Sequence, residues 1–559
     1  MYQSIENLSI QRHFVNLGSR QVHYRMSGSG PVLILLHQSP TSSAEMASLI
    51  EDFSDEFTVI APDTPGFGLS DFIDGIEPDI SQYAEALKEF LDALEINKAC
   101  FYGFHTGAII ATEFARLYPE LCNAVVVNGL VVLEPEEEAD ILKHYTKWFE
   151  PTPEGSQMSW IWSRIRDQQI FFPWFKKELG NRLSMDPSNP ELLQPYILDL
   201  LRCNEASQTA YQAAFLYPSR ERIRELVVPT FLINYKSDPI AHHPRRLSNL
   251  PNNVVIELLS DPEAVGDRSR EIFKKYSSNK DYTHRNTSDR LQSGKQGFAP
   301  TTNGPIYYSV EGNNIENIVL ILHDLGQSSK AELFHHKVIK GSLKLFVDLP
   351  GHGETGPTHL TNYSPQSIVS VLKETLDYLG ISKLSIISIG ASLPIALRLS
   401  EQKSLTVDNL VLIDPWCLND LEKEKYIENY VPDITPSKYG EHLMRSWYFV
   451  RDSELFFPWF EAKSSTALKR PPDIEAESVH KKAVEILKAG PGLKLVAKDL
   501  IGYDIQEDLE NFSQELTIFI WQGNLREIFA ERISKQLDDV QINYLPKDKN
   551  DWLIEFQEK

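Results

Sequence analysis

A histidine at position 105 stands among small residues in a pattern that favours a sharp turn from a strand into a helix. Residues 102–107 read Tyr-Gly-Phe-His-Thr-Gly and follow a short apolar run. A turn of this kind exposes the side chain of its middle residue. An imidazole has an unperturbed pKa of about 6.5 and can act as a general base near neutral pH. His105 is therefore the first candidate for catalysis, and its neighbours Phe104 and Thr106 are expected in the same pocket.

An aspartate at position 238 is the second candidate. Asp238 follows the apolar run Phe231–Tyr235, which predicts a buried strand. A carboxylate within reach of His105 would orient the ring and stabilise the imidazolium, as the acid of a catalytic triad does. Other roles for His105 stay open at this stage: a covalent nucleophile, a residue that fills a decayed site, or a metal ligand.

Two further polar residues follow the first predicted buried strand, Val32–His37. Gln38 could supply a side-chain donor to a substrate, whereas Pro40 removes a backbone donor from this loop. His37 could line the substrate pocket or form hydrogen bonds within its own loop. We therefore expect His37 and Gln38 close to His105.

A charged pair lies in a segment rich in aromatic residues. Arg166 could hold a substrate carboxylate with two hydrogen bonds, and Trp162 could form an apolar wall. The alternative is that Arg166 pairs with Asp167 and braces the segment, because buried charges need partners. The nearby run Phe171–Phe175 is interpreted as hydrophobic packing between the insert and the core of the domain. The adjacent pair His242 and His243 does not predict a metal site, because neighbouring side chains point in different directions.

Several unlike motifs recur in the same order after about 285 residues, which indicates a duplication. The strand Val32–His37 is matched by Val319–His323, and residues 63–68 (Asp-Thr-Pro-Gly-Phe-Gly) are matched by 348–353 (Asp-Leu-Pro-Gly-His-Gly). In the second copy the position of His105 is occupied by Gly390. Each copy also contains an aromatic string, with Trp162 to Phe175 in the first copy resembling Trp447 to Phe460 in the second.

Short apolar runs alternate with helical patterns of about 12 or more residues, which predicts parallel strands joined by crossover helices. The fold class is therefore α/β, with two tandem domains that each contain a mostly parallel sheet flanked by helices. We expect the first domain at residues 1–280, a polar linker at 281–304 and the second domain at 305–559. Aromatic inserts at about 131–226 and 416–514 are expected to form helical caps.

This order of motifs resembles the α/β-hydrolase superfamily over nearly the whole chain. The resemblance places His105 at the nucleophile position and Asp238 at the acid position of the first domain. The base is expected just after the strand Val254–Leu259, but no His occurs up to Tyr282, and His284 comes about 25 residues too late. The second domain has Gly390 at its elbow, an acid position somewhere within 523–525 and no His after His480. We expect the second domain to be catalytically inactive. Pairing of the two domains with each other is also expected.

The chain has 559 residues and a net charge of -23. Scattered acidic residues disfavour binding to nucleic acid or to an anionic membrane surface. Four cysteines without paired spacing indicate reduced core thiols, and no apolar run approaches the roughly 18 residues of a membrane helix. We expect a cytoplasmic protein without a signal peptide. Gly28-Ser29-Gly30 precedes a strand, so it is no dinucleotide signature, and no cofactor or metal is expected.

Two functions are compatible with these patterns. The first is an enzyme, a hydrolase or lyase, that acts on a small and largely apolar metabolite by acid-base chemistry through His105 and Asp238. The alternative is an inactive tandem pseudohydrolase that binds a small ligand or a protein partner. An esterase that uses an unaligned serine ranks below both.

Overall fold

The computed structural model describes residues 10–75, 77–203, 206–278, 282–284, 290–330, 341–521, 523–537 and 539–547. The chain divides into two compact units. The first unit comprises Met1–Glu150 and Trp160–Ser288, and the second comprises Pro151–Ser159 and Asp289–Lys559.

An eight-stranded sheet forms the centre of the first unit, with the strand order β1-β2-β4-β3-β5-β6-β7-β8. Strand β2 is antiparallel to β1 and β4, and the remaining pairs are parallel. The strands are β1 (Gln11–Leu17), β2 (Arg20–Ser27), β3 (Val32–Leu36), β4 (Thr58–Pro62), β5 (Ala99–Phe104), β6 (Cys122–Asn128), β7 (Thr230–Tyr235) and β8 (Val254–Leu259).

Helices cover the faces of this sheet and form the insert between β6 and β7. The helices up to residue 276 are α1 (Ala47–Phe53), α2 (Ile80–Ala93), α3 (Thr106–Leu117), α4 (Pro135–His144), α5 (Ser156–Gln168), α6 (Pro190–Arg202), α7 (Ala206–Phe215), α8 (Ser219–Arg222) and α9 (Pro262–Tyr276). Helix α2 begins where Asp79 and Gln82 form a reciprocal capping box.

The second unit repeats the same strand order, which reads β9-β10-β12-β11-β13-β14-β15-β16. Its strands are β9 (Gln296–Ala299), β10 (Ile306–Glu311), β11 (Ile318–Leu322), β12 (Leu343–Val347), β13 (Lys383–Ile389), β14 (Thr406–Ile413), β15 (Leu516–Trp521) and β16 (Val540–Leu545). Its helices are α10 (Pro365–Leu379), α11 (Leu393–Ser400), α12 (Asp420–Asn429), α13 (Glu441–Ser453), α14 (Ala476–Ala489), α15 (Leu493–Ile501), α16 (Gln506–Asn511) and α17 (Glu527–Ser534). The α/β fold class and the two mostly parallel sheets predicted from the sequence are confirmed.

The second sheet begins inside the segment that the sequence predicts as a linker. Strand β9 spans Gln296–Ala299 and pairs antiparallel with β10. A strand of four residues with a single large side chain, Phe298, shows too little alternation to stand out from a polar segment.

The aromatic string of the first insert packs within the insert itself. Phe172, Trp174 and Phe175 lie against a cluster built from Tyr145 of α4 and its buried neighbours on α7. The hydrophobic role expected for Phe171–Phe175 therefore belongs to this cluster of the insert.

Two chain-wide features follow from the arrangement. The four cysteines are free and buried, as expected for core thiols. Among the described residues, none of the helices combines the length and the apolar character needed to cross a bilayer.

Candidate active site

His105 lies at the junction of β5 and α3, in a backbone conformation that few side-chain-bearing residues adopt. Its φ is 47° and its ψ is -106°. A Cβ on Gly103 would lie 2.3 Å from the carbonyl oxygen of Gly107, and a Cβ on Gly107 would lie 2.2 Å from that of Leu36. Only glycine fits at these two flanks, so the strand and the helix can approach closely. The sharp turn that exposes residue 105 is therefore present.

His105 and Asp238 form a hydrogen-bonded pair. His105 Nε2 lies 3.0 Å from Asp238 Oδ2, and the side-chain exposures are 26% and 0%. Asp238 follows β7, which is the parallel neighbour of β6 and places the carboxylate at the same edge of the sheet as the β5 turn. The two residues that sequence reasoning assigned to catalysis thus meet in the structure.

Asp238 is held as an ionised carboxylate. Burial would raise the pKa of Asp238, but the His105 ring, the Ile240 N–H and the nearby His243 together hold that pKa below its ordinary value. The Ile240 N–H donates to Oδ1 at 2.8 Å. Because the carboxylate can only accept, Nε2 of His105 is the donor in the pair.

The other ring nitrogen of His105 is available for chemistry. In the described part of the chain no hydrogen bond reaches Nδ1, since the only one made by the ring goes from Nε2 to Asp238. With the proton on Nε2, Nδ1 carries the lone pair of the neutral imidazole. The partly exposed ring is therefore arranged to accept a proton at Nδ1.

The space for this ring depends on a glycine at the end of the next strand. A Cβ on Gly129 would lie 2.3 Å from His105 Cδ2, and Gly129 has a φ of 79°. The His105 N–H donates to the carbonyl oxygen of Asn128 at 2.9 Å. The Phe104 ring packs on the imidazole with its centroid 4.2 Å away. Together these contacts fix the ring orientation, and Gly129 is a site residue that sequence reasoning missed.

Thr106 places a helix N-terminus beside His105. It is the first residue of α3, where a backbone N–H has no partner within the helix and the helix dipole is positive. The Thr106 hydroxyl accepts a hydrogen bond from the Ser39 N–H at 3.4 Å. This end of α3 can stabilise negative charge that develops on a bound molecule next to the imidazole.

His37 and Gln38 are engaged by hydrogen bonds to neighbouring residues. His37 Nδ1 lies 2.8 Å from the Gln38 carbonyl oxygen, and His37 Nε2 accepts from the Thr64 N–H at 2.9 Å. The Gln38 side chain donates to Glu45 Oε1 at 2.5 Å. His37 therefore bonds within its own loop, as expected, and also to Thr64 after β4, and the Gln38 amide is turned toward Glu45.

The charged residues of α5 have different partners from those expected. Asp167 pairs with Lys177 at 2.5 Å. No ion pair is recorded for Arg166 among the described residues, and its backbone carbonyl oxygen accepts from the Gln169 N–H. Trp162 is buried. The alternative in which Arg166 and Asp167 brace the insert as a pair therefore has no support here.

Arg164 is the cation that the insert buries. Its guanidinium lies 5.4 Å from the ring centroid of Tyr145 and 5.2 Å from that of Trp174, and it donates to Gln168 Oε1 at 2.5 Å. Stacking on aromatic faces accounts for its burial. Sequence reasoning missed Arg164, although its place in an aromatic segment was a usable signal.

The turn of the second unit has a different occupant. Gly390 has a φ of 57°, and a Cβ there would lie 2.1 Å from Asp324 Oδ1. That oxygen accepts from the Leu325 N–H and the Ala391 N–H, each at 2.8 Å. The Asp324 carboxylate thus occupies the space beside Gly390 and binds the N–H at the start of the following helical turn.

Asn524 stands at the acid position that the sequence placed within 523–525. Its side-chain amide donates to Asp414 Oδ1, and its own Oδ1 accepts from the Arg526 N–H at 3.0 Å. Arg526 also lies 3.8 Å from the Asp414 carboxylate. A network of an amide, a guanidinium and carboxylates therefore fills this part of the second unit.

The adjacent histidines after β7 serve the loop. His243 is buried, and its Nδ1 accepts from the Val132 N–H at 3.0 Å. Burial and the neighbouring Arg246 lower the pKa of His243 to about 3, so its ring is neutral. No cluster of His, Cys, Asp and Glu suited to a metal ion occurs among the residues that the structure describes.

Comparison with known proteins gives the same fold for the first unit. Residues 31–261 match the family model described as the alpha/beta hydrolase fold. The chain is 31% identical over 138 residues to an uncharacterized hydrolase of Saccharomyces cerevisiae, which covers 24% of this chain and 48% of the relative. It is 34% identical over 109 residues to haloalkane dehalogenase 2 of Mycobacterium tuberculosis, covering 20% of this chain and 38% of the relative.

A solved structure of a thermophilic esterase from Thermogutta terrifontis is 19% identical, with a TM-score of 0.38, and the match covers 48% of this chain and 100% of the esterase. The chain spans less than half of the length of the curated relatives named above. By the family-model match, residues 31–261 are similar to the alpha/beta hydrolase fold.

Proposed function

We propose that the first unit is an enzyme of the α/β-hydrolase superfamily that acts on a small, largely apolar metabolite by acid-base chemistry. His105 is the general base and Asp238 orients it. The observation that carries the proposal is the 3.0 Å contact between His105 Nε2 and Asp238 Oδ2, which leaves Nδ1 as the accepting nitrogen of a partly exposed ring.

In the proposed step, Nδ1 of His105 takes a proton from a water molecule or from a carbon of the substrate. The imidazolium that forms is stabilised by the Asp238 carboxylate at Nε2. Negative charge that develops on the substrate is stabilised by the N-terminus of α3 at Thr106. Proton transfer from water to Nδ1 gives a hydroxide that attacks the substrate, as in a hydrolase, and proton transfer from carbon gives a lyase. A covalent route through residue 105 is not needed for either reaction.

The names of two similar proteins are compatible with a hydrolase or a lyase. One is a haloalkane dehalogenase, and another, from Shewanella oneidensis, is a cis-3-alkyl-4-alkyloxetan-2-one decarboxylase that is 28% identical over 123 residues, covering 22% of this chain and 39% of that protein. For the substrate we propose an apolar contact with Phe104 and Trp162, with Arg166 as the group that would bind a carboxylate. We also propose a cytoplasmic location, which agrees with the four free thiols.

The test compares wild type with His105→Ala and Asp238→Asn in a metabolite extract, with substrate and product masses followed over time. We expect one mass feature to be consumed by wild type alone. Asp238→Asn should retain a small fraction of the rate, because the amide can no longer stabilise the imidazolium. Repeating the reaction in ¹⁸O-water separates the two reaction types, since only a hydrolase incorporates the label. Full activity in folded His105→Ala would end the proposal.

The alternative is a tandem pseudohydrolase that binds a ligand and performs no chemistry. It is favoured by one observation, which is that the residue on the turn is an imidazole in one unit and a glycine in the other, with a hydroxyl nucleophile at neither. Thermal stabilisation by an extract component, equal in wild type and His105→Ala and without any product, would support this alternative. Multiple turnovers would exclude it.

A further inference from the structure

The second unit contains a cavity of about 500 Å³ beside its turn. We propose that this cavity binds a small monocarboxylate with an apolar body. Cavities of roughly 300 to 1,000 Å³ accommodate small-molecule ligands in proteins. The site is separate from the His105 pair, and the inference does not depend on the function proposed for the first unit.

The cavity lies next to the filled turn without including the network that fills it. Ala391, the residue after Gly390, borders the cavity. In the part of the chain that the structure describes, Asp324, Asp414 and Asn524 are not among the lining residues. The carboxylates and the amide at the turn therefore stay with their own partners when the cavity is occupied.

Lys423 supplies a cation whose N–H groups make no hydrogen bond with the residues that the structure describes. Its ammonium lies 3.6 Å from Asp420 and 3.8 Å from Asp504, and both distances exceed that of a hydrogen bond. The Lys423 side chain is 16% exposed, whereas those of Asp420 and Asp504 are 98% and 79% exposed. Water screens the two exposed carboxylates, so the enclosed ammonium remains able to bind a carboxylate with its N–H groups.

Part of the cavity wall is apolar. Trp416, Leu500 and Ile501 line the cavity and are themselves buried. Pro394 and Leu418 continue this wall. A ligand that fills the space gains by removing apolar surface from water as well as by pairing its charge with Lys423. A single ammonium group, that of Lys423, is assigned to the ligand, which matches a ligand with one carboxylate.

Comparison with the first unit shows which residues of the cavity have a structural role and which one can bind the ligand. Arg532 binds Glu422 and donates to the Cys417 carbonyl oxygen. Arg246 makes the same contacts with Glu137 and with the Val132 carbonyl oxygen. This brace is common to both units.

The residue after the braced glutamate differs between the units. It is Lys423 in the second unit and Glu138 in the first. The charge at this position is therefore opposite in the two units, and only Lys423 can attract a carboxylate. This difference assigns anion recognition to Lys423 rather than to the shared Arg532 brace.

The probe for this site is octanoate, with 1-octanol as a neutral control, and binding to the full chain is measured by isothermal titration calorimetry. We expect one site for octanoate with a Kd below about 1 mM, and weaker binding of 1-octanol. Lys423→Met should weaken octanoate binding by about tenfold or more, and Lys423→Arg should retain it. Lys535→Met, at the exposed edge of the cavity, and His105→Ala should each change the Kd by less than about twofold.

Three results would overturn the inference. They are no octanoate binding by wild type, equal binding by Lys423→Met with an unchanged unfolding temperature, and loss of binding in His105→Ala. The last result would place octanoate in the first unit. The activity proposed for the first unit is tested by His105→Ala, and octanoate binding is tested by Lys423→Met. If wild type shows no activity, the octanoate test still stands, so failure of one proposal can be distinguished from failure of the other.

Discussion

Two positions can be compared between the units: the residue on the turn after β5 or β13, and the residue directly after the next strand, β6 or β14. The two units differ in which of these positions is a glycine. In the first unit His105 occupies the turn, and Gly129 at the end of β6 leaves space for its ring. In the second unit the turn has Gly390, and Asp414 occupies the position after β14. Gly129 and Asp414 both have positive φ, at 79° and 46°. At these two equivalent positions each unit therefore has one glycine and one other residue, which is His105 on the turn of the first unit and Asp414 after β14 in the second.

The acid positions show how closely the two backbones correspond. Asp238 accepts from the Ile240 N–H at 2.8 Å, and Asn524 accepts from the Arg526 N–H at 3.0 Å. Asp238 binds an imidazole, whereas Asn524 donates to the Asp414 carboxylate. The comparison teaches that proton-transfer ability depends on the side chains at these positions, since a carboxylate and an amide without an imidazole offer no base suited to neutral pH.

Giving the first unit the aspartate that the second unit has after β14 should have the largest effect on activity. Gly129→Asp places a Cβ where the His105 ring lies, so the imidazole must leave its contact with Asp238. We expect the turnover rate to fall by about 100-fold or more, because small displacements of a catalytic group carry losses of this size. The assay is the metabolite-consumption measurement described above.

The control for this variant is Gly75→Asp. Gly75 has a similar φ of 74°, and a Cβ there meets no atom within 4 Å. It should therefore keep wild-type activity. Full activity in Gly129→Asp would show that the ring position is irrelevant.

The reverse exchange should destabilise the second unit. Gly390→His brings a Cβ into contact with the Asp324 carboxylate and separates that carboxylate from the Ala391 N–H. We expect a loss of about 3 kcal/mol in the free energy of unfolding, as for overpacked sites. Chemical denaturation measures it. Gly356→His, at a φ of 61° with no atom within 4 Å of a Cβ, should cost much less.

Asn524→Asp tests the acid position of the second unit. The change replaces an N–H donor by a carboxylate next to Asp414, so two like charges meet. We expect a loss of about 2 kcal/mol at pH 7. The two neighbouring carboxylates would bind a proton more tightly in the folded state than in the unfolded state. The loss in the free energy of unfolding should therefore shrink as the pH falls. Asn313→Asp, at an exposed position, serves as the control, and an equal loss in both variants would contradict this account.

The smallest expected effect concerns Asp199 in helix α6 of the first insert, which accepts from the Ser42 hydroxyl at 2.9 Å. Burial raises the pKa of Asp199 from 3.8 to about 7. The folded state therefore binds a proton that the unfolded state has released, and stability declines as pH rises from about 4 to 7. Between pH 6 and 8 this group should lower the free energy of unfolding by about 1 kcal/mol. Asp199→Asn should remove that part of the pH dependence, and an unchanged pH profile would contradict the shift.

The mostly parallel sheet and the closeness of His105 to Asp238 could be predicted because both follow from short buried runs. Parallel strands end at one edge of a sheet, so side chains that directly follow β5 and β7 are brought together. The motif around residue 105 also predicted the turn, since its flanking glycines are required by contacts under 2.5 Å.

The remaining features depend on contacts between distant segments. Nothing in the local sequence relates Gly129 to His105 or Asp414 to Asn524, because each pair joins residues that follow different strands. Asp167 has its partner in Lys177, ten positions away across a turn, and Arg164 is buried by rings from α4 and from the aromatic string. Side-chain partners of this kind are set by packing, which a single sequence does not display.

The measurement that tests the central claim most directly is product formation by wild type, His105→Ala and Asp414→Asn under the same conditions. Asp414→Asn changes the charge at the equivalent place of the second unit, and asparagine tolerates the positive φ of this residue. We predict that His105→Ala abolishes product formation while the folded protein persists, and that Asp414→Asn leaves the rate unchanged. Product formation by folded His105→Ala, or its loss in Asp414→Asn, would contradict a single working site at His105 and Asp238.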